Sequence, residues 1–306
     1  MTGVIDVHAH ILPGIDDGSR DWDESRRLLE ESYRQGIRYI IATPHYSRRG
    51  LPSDIYDLSE KLKEEARKIA PDFQIGLGQE TYYHEGLIEN LKNGRALTLD
   101  GSQYVLVEFE PQVPYMKMYQ AVRKLTMARY IPIIAHVERY ACLREDSNMS
   151  ELVQCDCRLQ MNFSSLKRNS ILDKEVRWCR KQVMQDRVYC LGTDMHRMDY
   201  RKPDIEESFQ WLVKHLNGLK LHGLLRGNAK KVIQTGEYKD VWKRLMMTTR
   251  LKSIFWNCWG SFDVRYGLYW ESLYCLGVYQ VHSVHSCSLP SINLLQWFIF
   301  FQRRRH

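Results

Sequence analysis

The stretch IDVHAHILPGIDDG (residues 5–18) places two histidines and two aspartates directly after a short apolar run. Residues 4–7 predict a buried strand, and His8 and His10 lie at its end. Because alternate residues of a strand point to the same face, the two imidazoles can converge on one point. Two interpretations follow: a pair of metal ligands, or polar residues at the mouth of a loop.

The rest of the chain, as far as about residue 236, alternates apolar runs with amphipathic segments. Asp21 and Ser170 are predicted helix N-caps, and Gly36 is predicted to end the first helix. A repeated order of strand then helix implies a parallel sheet, either a barrel or a doubly wound sheet, and seven strands do not decide between these. Helices are predicted over 22–35, 54–69, 115–130 and 170–185. Strands are predicted over 4–8, 37–42, 73–78, 104–108, 132–135, 157–162 and 188–192.

The net charge of +7 is concentrated near the end of the sequence. Residues 239–306 contain nine Lys and Arg against three Asp and Glu, so the preceding 238 residues carry only about +1. A charge this small gives no support for nucleic-acid binding. The sequence has no long apolar run and no signal peptide, so we expect no integral membrane span and a cytoplasmic location.

Residues 239–306 differ in kind from the sequence before them. They hold five of the eight tryptophans and no alanine. One interpretation is a membrane-surface anchor, in which SINLLQWFIFF (291–301) precedes a basic end. The favoured interpretation is that residues 1–238 form the domain and that 239–306 are not part of it, as in an out-of-frame or read-through extension. Aromatic residues without amphipathic order would then promote aggregation.

Acidic and histidine side chains follow six of the seven predicted strands. Ligands of parallel α/β folds bind at the carboxyl ends of strands, and these side chains suit borderline to hard divalent metals. A single residue of this kind is more simply interpreted as a hydrogen-bonded loop residue than as a metal ligand. Five of the eight histidines before residue 239 lie within about three residues of a strand end, which favours a polynuclear metal site. The candidates are His8, His10, Asp16, Asp17, His45, Glu80, Glu108, Glu110, His136, Asp194 and His196.

Two of these positions carry alternatives. Asp16 and Asp17 cannot both point inward on an ordinary turn, and Gly18 favours Asp17 as the ligand and Asp16 as the turn residue. Either Glu108 or Glu110 can ligate, and Glu108 is better placed at the strand end. Three further histidines are predicted to lie in helical segments as surface or core residues: His84, His215 and His222.

No pattern for a nucleophilic enzyme competes with the metal site. The chain has no GxSxG elbow, no GxxxxGKS/T loop and no GxGxxG after a strand. Its eight cysteines are scattered, and none begins a Cys-x5-Arg phosphate loop. Phosphoryl chemistry on this chain therefore needs a metal-activated hydroxide.

Taken in order, the motifs HxH, DDG, TPH, GxE, VEF, AHxER and TDxH resemble the polymerase-and-histidinol-phosphatase (PHP) superfamily. Within it, HAHILPGIDDGSRDWDES, ATPHY and AHVERY resemble the bacterial manganese-dependent protein-tyrosine phosphatases of capsule and exopolysaccharide gene clusters. The resemblance covers about residues 3–236. It implies a distorted (β/α)7, TIM-like barrel with a trinuclear metal centre at its C-terminal face.

The resemblance also implies roles for individual residues. Arg139 matches a phosphate-binding arginine, and Arg201 matches a second basic residue less closely; for Arg139 the alternative is an ion pair with Glu138 or another carboxylate. Asp194 and His196 are expected to take part in catalysis as well as in metal binding. The ions are expected to be manganese, although iron and zinc suit the same donors. The implied ligands are His8, His10, Asp17, His45, Glu80, Glu108, His136, Asp194 and His196.

The activity expected from this resemblance is hydrolysis of phosphotyrosine in proteins. The expected partner is a cytoplasmic tyrosine kinase of a polysaccharide export system, dephosphorylated on a tyrosine-rich tail. A small-molecule phosphatase of the histidinol-phosphatase type is the alternative enzyme. A metal-binding PHP module without catalysis is the alternative outside enzymes.

Overall fold

A computed structural model of the chain describes residues 3–47, 50–167 and 173–233. All seven predicted strands are present, together with a short strand after residue 79 that was not predicted. The strands are β1 Val4–Ala9, β2 Ile37–Ala42, β3 Gln74–Leu77, β4 Glu80–Tyr82, β5 Tyr104–Glu108, β6 Ile131–Ile134, β7 Arg158–Asn162 and β8 Cys190–Gly192.

Every strand pair is parallel, as the alternation of strands and helices predicts. The strands form two sheets, β1-β2-β3 and β4-β5-β6-β7-β8. Isolated parallel bridges join Ala9 to Met195 and His45 to Glu80. The parallel α/β architecture is confirmed, but the closed barrel is not. Gly78 and Gln79 separate β3 from β4, and the two sheets are not joined into one closed sheet.

The helices connect the strands and end close to their predicted positions. Asp21 caps α1, accepting from the backbone N of Glu24 at 2.8 Å, and Gly36 follows the helix with a φ of +95°, as predicted. The cap of α6 is Asp173, not the predicted Ser170, which lies outside the described residues. The helices are α1 Trp22–Arg34, α2 Ile55–Ile69, α3 Leu87–Lys92, α4 Tyr115–Met127, α5 Asp146–Gln154, α6 Lys174–Met184, α7 Glu206–His215 and α8 Gly218–His222.

Strand β1 shows how the fold positions polar groups. All six of its residues are buried, with Ile5 and Val7 in one apolar cluster and Val4 in another. A strand covered on both faces exposes side chains only where it ends. The polar residues that follow such strands are therefore gathered at one edge, under cover of the surrounding loops.

The predicted domain boundary after residue 238 lies outside the described residues. Within the ranges given above, no helix is both long and apolar enough to cross a membrane.

Candidate active site

All nine predicted ligand residues converge at the carboxyl ends of the parallel strands. Eight of them form three groups, and within each group one N or O atom per residue lies within 4.8 Å of the others. The ninth is His136, whose Nε2 lies 2.9 Å from Glu80 Oε1 and 3.4 Å from Glu108 Oε2. We call these nine residues the His/carboxylate cluster. The three groups are His10, Asp17, His45 and His196; His8, His10 and Asp194; and His45, Glu80 and Glu108.

Glu80, the first residue of β4, lies at the centre of the cluster. Its Oε2 is 3.2 Å from Nε2 of His8, from Nε2 of His10 and from Nδ1 of His45. Although burial alone would raise the pKa of Glu80, the imidazoles of His8 and His10 hold that pKa well below its usual range. A buried carboxylate of this kind needs positive charge around it, from protons or from metal ions.

The two aspartates of the DDG loop have different surroundings. Asp17 Oδ1 lies 3.4 Å from His45 Nε2 and 3.6 Å from His196 Nε2. Asp16 Oδ2 accepts hydrogen bonds from His10 Nδ1 and from the backbone N of His45, both at 2.8 Å. The geometry favours Asp17 as the ligand, and Asp16 does more than form the turn because it orients His10.

The other predicted alternatives also separate in space. Glu110 is exposed and lies outside the cluster, whereas Glu108 lies in it. The helical placement of His84 is wrong: this residue lies in the turn before α3 and stacks on Tyr46, with 5.1 Å between ring centroids. The two remaining histidines end helices away from the cluster: His215 and His222.

Gln160 on β7 is a site residue that the sequence analysis missed. Its Oε1 accepts a hydrogen bond from the backbone N of His136 at 2.8 Å and lies 3.2 Å from His8 Nδ1. A carbonyl oxygen only accepts, so Nδ1 of His8 is the donor and its Nε2 presents a lone pair to the cluster. The available signal was the alternation of polar residues, Arg158, Gln160 and Asn162, with apolar ones along the predicted strand 157–162.

Asn162 connects the end of β7 to Asp194. Its Nδ2 donates to Asp194 Oδ2 at 3.0 Å, and its backbone N donates to Glu138 Oε1 at 3.0 Å. The same Glu138 oxygen accepts from the Ser165 hydroxyl at 2.7 Å. The structure shows the ion pair that was the predicted alternative for Arg139, and its carboxylate partner is Asp194 and not Glu138.

The two carboxylate oxygens of Asp194 contact different groups. Its Oδ1 lies 3.6 Å from Nε2 of both His8 and His10. Its Oδ2 pairs with Arg139, and Arg201 Nη1 lies 3.3 Å from the same oxygen. One buried carboxylate thus joins the imidazoles to two guanidinium groups.

Backbone strain is present at three of these positions. His136, Asp194 and Arg201 have φ angles of +33°, +52° and +55°. Residues other than glycine rarely adopt this left-handed region, and such residues persist where the surrounding structure enforces them, often at functional sites.

The buried groups shift one another's pKa values. Burial alone would lower the pKa of His10, but hydrogen bonds to Asp16 and Glu80 raise it to about 10. His136 shows the same balance, and Glu108 and Glu80 raise its pKa to about 9. Without metal, these two imidazoles therefore carry protons at neutral pH.

His196 and Asp194 shift in the opposite direction. Burial and the charge on His10 lower the pKa of His196 to about 4. Burial would raise the pKa of Asp194, but His8 and Arg139 contribute to lowering it to about 2. In the metal-free protein at neutral pH, Asp194 is therefore ionised and the imidazole of His196 is uncharged.

The cluster fits a set of divalent metal ions. His8 Nε2 and His10 Nε2 lie 3.2 Å apart, and the Nδ1 atoms of both rings are engaged by Gln160 and Asp16. Two imidazole lone pairs that face each other need a cation between them, and in the metal-free protein the proton on His10 supplies it until a metal displaces that proton. Imidazole with carboxylate suits manganese, iron and zinc alike.

A cavity of about 270 Å³ lies beside the cluster. Four cations line it, Arg139, Lys167, Arg201 and Lys202, against the single carboxylate of Asp204. A cleft lined mainly by one sign of charge concentrates ligands of the opposite sign. Its remaining lining residues are Asn162, Ser164 and Thr193.

Residues 4–234 match the family described as capsular polysaccharide synthesis, CpsB/CapC. The tyrosine-protein phosphatase CpsB of Streptococcus agalactiae serotype V is 32% identical over 240 residues, which are 76% of this chain and 98% of that protein. The tyrosine-protein phosphatase CpsB of Streptococcus pneumoniae is 30% identical over 238 residues, which are 75% of this chain and 98% of that protein.

Solved structures agree with the sequence relatives. A crystal structure from the pair YwqE of Bacillus subtilis and CpsB of Streptococcus pneumoniae, described as unique metal-dependent tyrosine phosphatases, matches with a TM-score of 0.67. It is 27% identical and covers 76% of this chain and 94% of that chain. The motif-based prediction of the family is confirmed: the chain belongs to the CpsB/CapC family of capsular polysaccharide synthesis proteins.

Proposed function

We propose that the chain is a metal-dependent protein-tyrosine phosphatase. The observation that carries this proposal is the position of Asp194, with one oxygen on the imidazoles of the cluster and the other on Arg139 and Arg201. A phosphate group that reached this point would meet metal donors on one side and two guanidinium groups on the other. The relatives named as tyrosine-protein phosphatases support the same activity.

The nine residues of the cluster are the proposed ligands, for three manganese ions, one near each of the three groups. When bound, such ions neutralise phosphate oxygens and lower the pKa of a water so that hydroxide is available near neutral pH. Arg139 and Arg201 would bind the remaining phosphate oxygens, because a guanidinium offers paired donors to an oxyanion. Asn162 and Gln160 hold Asp194 and His8 in place for this task.

Two alternatives receive less support. A histidinol-phosphatase type of enzyme needs a site for a small amine, whereas the cavity beside the cluster is lined by four cations, which favour anionic substrates. A metal-binding module without catalysis has no need for two arginines directed at the metal-facing carboxylate. These observations favour the protein phosphatase.

The wider proposals concern fold and partner. We propose that the two sheets are parts of a distorted (β/α)7 barrel of the PHP type, and that the phosphatase domain spans residues 1–238. The proposed substrate is a tyrosine kinase of polysaccharide export. We propose no function for residues 239–306.

Three substrates, assayed side by side, test the activity: a phosphotyrosyl peptide, histidinol phosphate and an aryl phosphate, each with manganese and with a chelator. We expect manganese-dependent hydrolysis of the peptide and the aryl phosphate, abolished by the chelator. Preference for histidinol phosphate would establish the small-molecule alternative. No metal-dependent turnover of any substrate would overturn the enzyme proposal.

A further inference from the structure

We propose that the basic cavity holds a second anion subsite, which binds an acidic group of the substrate peptide next to the phosphotyrosine. This inference rests on the proposed phosphatase activity and adds a substrate class to it. The subsite, called the outer subsite, is formed by Ser164, Lys167, Lys202 and Asp204. Its ligand is a carboxylate of Asp or Glu, or the phosphate of a second phosphotyrosine.

The two arginines occupy the inner end of the cavity. Both contact Asp194, which belongs to the cluster. A phosphate dianion bound there would engage both guanidinium groups, and its charge would be matched by them and by the metals. The lysines of the cavity are not needed for that task, so their charge is available to another part of the substrate.

Lys202 carries the main share of this available charge. Its side chain is exposed, and its charge also helps to lower the pKa of Glu31, so the Lys202 ammonium is shared between that carboxylate and the cavity. It directly follows Arg201, whose guanidinium reaches Asp194, and both residues line the cavity. An anion beside the phosphate would therefore meet Lys202 first.

Lys167 is paired with Asp204, so its charge is only partly available to a ligand. The two form an ion pair across the cavity, between the segment that follows β7 and the loop that precedes α7. Both are incompletely buried, at 20% and 39% exposure, so water and an incoming anion can compete for the pair. Asp204 then acts as an internal competitor, which weakens binding of a peptide carboxylate by Lys167.

The dimensions of the cavity agree with two anions. Its volume of about 270 Å³ is close to the lower end of the roughly 300–1,000 Å³ of small-ligand clefts, so it accommodates more than a phosphate group. The outer subsite contributes charge attraction at a partly exposed location, which affects binding of substrate and transition state equally. Its effect is therefore expected on KM rather than on kcat.

The test uses the full chain loaded with manganese and three phosphotyrosyl peptides of equal length. One carries Asp beside the phosphotyrosine, one carries Asn there, and one carries a second phosphotyrosine. The wild type is expected to show a KM about three- to fivefold lower for the Asp peptide than for the Asn peptide, the range of a partly exposed ion pair. The acidic peptide with the lower KM identifies the preferred anion.

Two variants and a control sharpen the result. Lys202→Gln should bring the KM ratio of Asn to Asp peptides close to one, whereas Asp204→Asn should increase it because Lys167 is released. Lys63→Gln, on α2 and outside the cavity, should leave the ratio and the turnover unchanged.

The outcomes separate this inference from the proposed function. Hydrolysis of an aryl phosphate with equal KM values for the Asp and Asn peptides overturns the outer subsite alone. An unchanged ratio in Lys202→Gln and Asp204→Asn also overturns it. No manganese-dependent hydrolysis of the aryl phosphate or of any peptide overturns the proposed function, and the outer subsite with it.

Discussion

The His/carboxylate cluster and the basic cavity lie side by side but are built differently. The inner part of the cluster is buried: His8, Glu80 and Asp194 are at most 2% exposed, whereas Asp17 and His45 of the same cluster are 65% and 35% exposed. In the cavity, Arg139 and Arg201 are 34% and 38% exposed and come from short segments after the strands. The buried region is suited to fixing metal ions, whereas the exposed region is suited to meeting a substrate.

This difference gives separable expectations for the two regions. Substitutions in the cluster should remove metal and activity together, because a buried donor set cannot lose one member without leaving others unpaired. Substitutions in the cavity should alter turnover or KM while metal stays bound. The predictions below test that separation.

Glu80→Gln is expected to have the largest effect. The amide loses the charge that balances three imidazoles, so metal content should fall and activity should drop by more than about 100-fold, beyond the loss typical of an orienting partner. Metal content is measured by elemental analysis of the purified protein. Glu110→Gln is the matched control, since Glu110 is exposed and lies outside the cluster. Full metal content in Glu80→Gln would refute the central position of this residue.

Arg139→Ala should lower turnover by about 100- to 1,000-fold, the cost of losing one donor to the transition-state oxyanion. Metal content should be kept, because the guanidinium contacts Asp194 from the cavity side. Kinetics and elemental analysis of the same sample check both statements. Loss of metal in this variant would show that Arg139 supports the cluster and not the phosphate.

Gln160→Leu should weaken metal binding by about 10- to 100-fold, as for other residues that orient a metal ligand. The physical reason is that His8 loses the acceptor that fixes its tautomer. Metal titration followed by fluorescence or calorimetry gives the affinity. Gln182→Leu, a buried glutamine of α6 that bonds Asp146, is the control and should leave metal affinity unchanged. Equal losses in the two variants would show a general packing effect.

A further prediction concerns the pH dependence of metal binding. The pKa of His10 is raised to about 10 and that of His136 to about 9, so both imidazoles are protonated in the metal-free protein at pH 7. Metal must displace those protons, so its affinity should rise with pH up to about 10, the pKa of His10, and fall as pH decreases, by up to about tenfold per pH unit for each proton released. Calorimetry in buffers of different ionisation enthalpy measures the protons directly. Metal uptake without proton release at pH 7 would contradict the assignment.

Much of the cluster was predictable because it follows a local rule. A buried parallel strand exposes polar side chains only at its carboxyl end, and His8, His45 and His136 each lie at such an end. The same rule applied to Asp194, which lies in the TDxH motif directly after the predicted strand 188–192.

The remaining features depend on partners that are distant in sequence. Gln160 is a site residue only because β7 lies beside β6, which brings its amide to His136 and to His8. The short strand β4 was missed because its three residues, Glu80–Tyr82, are too few to show an alternation of apolar and polar side chains. The pairing of Arg139 with Asp194, 55 residues apart, is likewise a product of the tertiary fold.

The His/carboxylate cluster is proposed to bind metal, and Arg139 and Arg201 of the basic cavity are proposed to bind phosphate. The metal content of the wild type, Glu80→Gln and Arg139→Ala, measured together with their phosphotyrosyl peptide turnover, tests this most directly. Both variants are expected to lose activity, but only Glu80→Gln is expected to lose metal. Equal metal content in all three proteins, or metal loss in both variants, would contradict it.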